Sequence, residues 1–104
     1  MSSRVRLCAR GDVEPGQMLR VDIAGVPPLA AFNIDGEIHC TSNLCTHQFA
    51  ILTDGFFEDD VVECPLHGGC FNVRTGAALE FPCKTPLRTY PVTAVGEDLY
   101  VDIE

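Results

Sequence analysis

The sequence predicts an all-β fold, an antiparallel sandwich or small barrel, and three observations carry that expectation. Short runs rich in Val, Ile, Leu and Phe recur along the chain, separated by Gly, Pro and Asp. Asp35-Gly36 stands between two such runs, a strong signal for a two-residue hairpin. No segment sustains a 3.6-residue apolar period, apart from a short turn near the N-terminus.

In chain order, strands over Val5–Cys8 and Leu19–Ile23 flank the turn-rich stretch Gly11-Asp12-Val13-Glu14-Pro15-Gly16. Leu29–Ile34 and Glu37–Ser42 form the Asp35-Gly36 hairpin. Val61–Cys64 and Cys70–Val73 enclose the loop Cys64-Pro65-Leu66-His67-Gly68-Gly69. Leu87–Val92 and Leu99–Ile103 close the chain, joined through Gly96-Glu97-Asp98. Linkers, repeats and low-complexity tracts are absent from the sequence.

A chain of 104 residues is one domain, 1–104, with room for a modest core but not for a separate substrate domain. No run reaches the ~18–20 apolar residues of a membrane span. Met1-Ser2-Ser3-Arg4-Val5-Arg6 lacks the apolar region of a secretory signal. The expectation is a cytoplasmic, monomeric protein without a membrane partner. In that compartment six Cys do not imply a disulfide framework, so Cys8, Cys40, Cys70 and Cys83 read as free thiols, mostly buried. The net charge is −8, and residues 31–104 alone carry −9. Phosphate contacts need Lys and Arg, so nucleic acid is excluded as a partner and a basic protein surface is favoured.

The chemistry resides in Cys45-Thr46-His47 and, sixteen residues on, Cys64-Pro65-Leu66-His67. Each loop offers one thiolate and one imidazole, and two Cys with two His suit a [2Fe–2S] cluster in which His replaces Cys on one iron. Pro65 stiffens the second loop, and Gly68-Gly69 lets backbone approach a bound group closely. A structural zinc is the rival, because Cys₂His₂ is also a tetrahedral zinc set. Zinc modules prefer Cys-x(2–4)-Cys and His-x(3–5)-His spacings, neither of which occurs here.

These two segments, together with Phe71-Asn72-Val73-Arg74-Thr75-Gly76, Pro82 and Leu87-Arg88-Thr89-Tyr90-Pro91-Val92, resemble the Rieske-type ferredoxins of bacterial aromatic ring-hydroxylating dioxygenase systems. The resemblance spans essentially the whole chain. It implies a β-sandwich with a small cluster-binding subdomain inserted at about residues 43–83. It implies that Cys45 and Cys64 bind the inner iron, and that His47 and His67 bind the outer, more exposed iron through Nδ1. A proline-containing third loop covers the cluster in such proteins, and Phe81 and Pro82 fall where it should be.

The respiratory members of the family add a Cys to each ligand loop and join the two by a disulfide. Ala50 and Leu66 stand at those positions here, so that bridge cannot form. Gly69 and Phe71 occupy the positions where the same members place Ser and Tyr hydroxyls that bond to cluster and Cys sulfurs. Fewer hydrogen bonds to sulfur leave an added electron less stabilised, so the potential is expected near the low end of the Rieske range, about −150 mV rather than about +300 mV.

No second reaction site is evident. A mononuclear iron site needs two His and a carboxylate, and of three His two belong to the loops, leaving His39 as a solvated or satisfied polar residue. No Gly-x-Gly-x-x-Gly or βαβ pattern provides a nucleotide site. The expectation is an electron carrier and not an enzyme. By resemblance its partners are an NADH-dependent flavoprotein reductase and a terminal oxygenase, engaged transiently. Asp54, Glu58, Asp59, Asp60 and Glu63, between the ligand loops, are candidates for steering it to them. The alternative is a Rieske-like small subunit of a reductase such as assimilatory nitrite reductase.

Overall fold

The computed structural model describes residues 3–46, 50–66, 68–79 and 85–103. Among the described residues, ten strands make three antiparallel sheets: β1 (Ser3–Ala9), β10 (Asp98–Ile103) and β9 (Val92–Val95); β2 (Met18–Val21), β3 (Leu29–Ile34), β4 (Glu37–Ser42) and β8 (Thr89–Tyr90); and β5 (Phe56–Glu58), β6 (Val61–Glu63) and β7 (Cys70–Asn72). The only helical turns among the described residues are two short 3-10 segments, Arg10–Asp12 and Leu52–Asp54. None is long and apolar enough to cross a membrane.

The second sheet is the middle layer. Every residue of β3 is buried, as expected of a strand covered on both faces. Leu29 and Ala31 join Leu7, Cys8, Ile38, Cys40, Leu99 and Val101 in a core against the first sheet. Ala30, Phe32 and Ile34 point the other way, into a core with Val62, Phe71, Leu52, Cys45 and Cys64. The rings of Phe32 and Phe57 meet edge to face at 5.0 Å, pinning the third sheet to the middle one. Asn33, the polar residue in β3, is satisfied: its Nδ2 donates to the Val13 carbonyl (2.8 Å) and its Oδ1 accepts from the Gly36 amide (2.7 Å).

The β3–β4 hairpin turns at Asp35 (φ 51°) and Gly36 (φ 94°), the left-handed pair that a two-residue turn of this hand requires. The structure departs from expectation at three places. A bulge between Arg6 and Cys8 in β1 lets Leu7 and Cys8 both be buried, which strict alternation forbids. The expected strand Leu87–Val92 breaks at Pro91, which has no N–H to give a ladder. Thr89–Tyr90 pairs with β4, while Val92–Val95 pairs with β10, so the chain changes sheets at that proline. Finally, β5 is a strand where none was expected, paired with β6 through a tight turn at Asp59 (φ 56°). Its three residues are too few to show a period.

Candidate metal centre

Cys45 and Cys64 stand at the mouths of two loops that each close on their own backbone. The Cys45 amide donates to the Ala50 carbonyl (2.9 Å), and the Cys64 amide to the Gly69 carbonyl (2.7 Å). A bridge between Leu44 and Ile51 flanks the first loop, and β6 and β7 flank the second. His47 and His67 fall within these loops and lie outside the described residues, as do Phe81, Pro82 and Cys83.

The two cysteines are buried, at 4% and 1% exposure. They are also in contact. Burial, and then a hydrogen bond with the Cys45 thiol, push the Cys64 thiol up to about 11, against a smaller opposing pull from the Leu66 backbone. Two thiols so placed resist becoming a pair of thiolates unless a multivalent cation compensates them. That donor chemistry fits an iron centre. Among the described residues no three His, Cys, Asp or Glu side chains come together, so the described part of the constellation is this Cys pair.

Three further residues shape the loops. Asn43 is fully buried just ahead of Cys45. Its Nδ2 donates to Thr53 Oγ1 (3.0 Å), its Oδ1 accepts from the Thr53 amide (2.9 Å), and its carbonyl accepts from the Leu52 amide (2.9 Å). It thus clamps the two ends of the first loop together. Gly55 lies against the second loop: a Cβ there would stand 2.0 Å from the Glu63 carbonyl oxygen and 3.0 Å from Pro65 Cδ. Thr46 Oγ1 donates to the Thr85 carbonyl (2.8 Å), tying the first loop to the described end of the segment that contains Phe81 and Pro82. Nothing in the composition or spacing marks Asn43. Its one signal is an Asn placed between a strand end and a Cys loop.

The remaining expected positions have clear places. Ala50 is buried beneath the first loop and Leu66 is exposed on the second. Phe71 is wholly buried on the inner face of the third sheet, offering packing and no hydroxyl. Cys8 and Cys40 are buried free thiols and Cys70 is half-buried. His39 Nε2 pairs with Glu37 Oε1, as a satisfied polar residue should. Glu37 also receives Arg74 Nη1 (3.0 Å), and Arg74 Nε reaches Asp60 Oδ2 (3.8 Å), so an ion-pair chain straps the β3–β4 hairpin to the third sheet. Those partners, His39 first and Arg74 after it, hold the Glu37 carboxyl below its ordinary value. Asp60 is therefore engaged within the fold. Among the described residues, Asp54, Glu58, Asp59 and Glu63 have no ion-pair partner.

Comparison with known proteins gives this arrangement its class. Residues 3–91 match the model of the Rieske [2Fe-2S] domain. The ferredoxin component of biphenyl 2,3-dioxygenase from Rhodococcus jostii (strain RHA1) is 44% identical over 99 residues, 95% of this chain and 92% of that one. The solved Sphingomonas yanoikuyae B1 ferredoxin superposes with a TM-score of 0.93 at 44% identity, covering 98% of this chain and 100% of that one. The ferredoxin in a complex of reduced oxygenase and oxidized ferredoxin in carbazole 1,9a-dioxygenase does so with a TM-score of 0.89 at 39% identity, covering 94% and 91%. The chain belongs to the Rieske [2Fe–2S] domain family.

Within that family it is a ferredoxin, an electron-transfer component and not a catalytic subunit, and its cofactor is one Rieske [2Fe–2S] cluster. A nitrite reductase small subunit from Mycobacterium tuberculosis shares the fold, with a TM-score of 0.84, but at 21% identity the likeness extends to the fold alone.

Proposed function

We propose that Cys45, His47, Cys64 and His67 hold the cluster, the two Cys on the inner iron and the two His on the outer, within a cluster-binding subdomain at about residues 43–83. The observation that carries this reading is the contact between the buried Cys45 and Cys64 thiols at the mouths of two loops, each with a His inside it. A bound Rieske centre accepts and returns one electron at a time. The chain's own residues do the rest. The Cys pair anchors in the core, Asn43 and Gly55 fix the loops, and the apolar surroundings exclude water from the inner side.

The protein carries electrons from an NADH-dependent flavoprotein reductase to the terminal oxygenase of an aromatic ring-hydroxylating dioxygenase system. It acts as a cytoplasmic monomer, meeting each partner transiently. The 44% identical relative named as the ferredoxin component of biphenyl 2,3-dioxygenase supports this assignment, as does the solved oxygenase–ferredoxin complex of carbazole 1,9a-dioxygenase. The test is a reconstitution of NADH, reductase, this protein and oxygenase. Product formation should require the cluster-loaded ferredoxin and cease when it is omitted. Full turnover without it would refute the carrier role.

A further inference from the structure

The outer face of the third sheet is laid out as a receptor for one cationic side chain. Alternation sends Phe57, Val62 and Phe71 inward, leaving Phe56, Glu58, Val61, Glu63 and Cys70 on the outside. The register places Phe56, Glu63 and Cys70 on the rung next to the second ligand loop, and Glu58 and Val61 on the rung beyond it. Glu58 and Glu63 therefore occupy one diagonal of a square and Phe56 and Val61 the other. Cross-strand diagonal neighbours lie roughly 7–8 Å apart, a gap that one guanidinium between two carboxylates can span.

The square floors an open groove of about 320 Å³, bordered also by Asp59 and Cys70. Phe56 is 69% exposed, a large cost in apolar contact with water for a ring beside two carboxylates. Among the described residues no Lys, Arg or His lies within ion-pair range of Glu58, Asp59 or Glu63. The described residues thus supply like charges and an aromatic face here, and none of them is a counter-ion.

We propose that this groove receives an arginine projecting from the terminal oxygenase, a refinement that rests on the function proposed above. The guanidinium would lie between the Glu58 and Glu63 carboxylates and over the Phe56 ring, with its aliphatic stem on Val61. Charge complementarity favours this occupant, because residues 31–104 carry −9 and demand a basic partner. Position favours it too. Glu63 directly precedes Cys64, and its carboxylate lies 3.9 Å from the Cβ position of Gly68 in the same loop. An anchor here seats the partner beside the loop that Cys64 opens.

The test is calorimetric binding of the oxidised, cluster-loaded protein to its terminal oxygenase at low and high salt, with visible absorption confirming that each variant retains the cluster. Glu58→Lys should weaken binding by about tenfold at low salt, an effect that fades as salt is raised. Phe56→Ser should weaken it by a similar factor of about ten at both salts, because stacking and apolar contact are not screened. Glu97→Lys, on the exposed β9–β10 turn, changes net charge equally and should alter affinity by less than about twofold. Glu58→Gln replaces the reversal if that variant fails to fold. Wild-type affinity in the Glu58 and Phe56 variants, or equal losses in Glu58→Lys and Glu97→Lys, would overturn the groove and leave the proposed function standing. If the wild-type protein itself did not bind the oxygenase, both would fall.

Discussion

Asn43 and Cys40 show two different ways in which a single buried side chain contributes to this fold. Asn43 makes both of its side-chain hydrogen bonds to Thr53, with no exposure to water. Asn43→Ala leaves the Thr53 amide without its acceptor, and we expect a loss of about 1–3 kcal/mol in urea unfolding together with lower iron content per chain. Cys40 behaves differently. Burial, with a smaller contribution from Cys8, pushes its thiol up to about 12 from an ordinary 9.0. A raised folded-state value means that the neutral thiol is favoured, so its contribution is full below pH 9.0 and is lost as pH climbs toward 12. Cys40→Val, which cannot ionise, should flatten that alkaline loss in urea midpoints taken on either side of pH 9. The motif cysteines and histidines stand out in the sequence as candidate ligands because their chemistry is local. Asn43 does not, because its value depends on Thr53 arriving beside it through the fold.

Among the elements, the hairpin at Asp35-Gly36 was legible to the residue, since its turn chemistry admits few alternatives. The split at Pro91 was written in the sequence as a proline. Which sheet each half joins is a long-range matter of β4 and β10, and no local pattern encodes it. The third sheet was half legible. Its β6 and β7 were expected as the short apolar runs on either side of the second ligand loop, whereas β5 gains its identity from pairing with β6. The contact that locks β5 to the site is Gly55 against the Glu63 carbonyl and Pro65. Gly55→Ala drives a methyl group into that backbone, and we expect the second loop to shift and cluster retention to fall well below wild type, read as the visible absorption remaining after purification. Undiminished absorption would show that the loop can yield at no cost.

At the scale of the whole molecule, the expected antiparallel β-sandwich is found, and the described residues form three stacked sheets that share β3 as a common wall. Cys45 and Cys64 belong to the core between the middle and third sheets, so the proposed centre would be built into the packing and not hung upon it. The surface charge of −8 then governs encounters: association with basic partners should weaken steeply as salt rises. Gly69 and Phe71 offer no hydroxyl near the sulfurs, which places the expected midpoint near the low end of the Rieske range, about −150 mV. A redox titration of the holo-protein with a clearly positive midpoint would contradict that reading. Pulsed EPR of the dithionite-reduced holo-protein reads whether two Cys and two His hold the cluster. Hyperfine couplings from two iron-bound imidazole nitrogens are expected, lost one at a time in His47→Ala and His67→Ala. A reduced cluster with no nitrogen coupling, or a colourless protein that binds zinc instead, would contradict that ligand set.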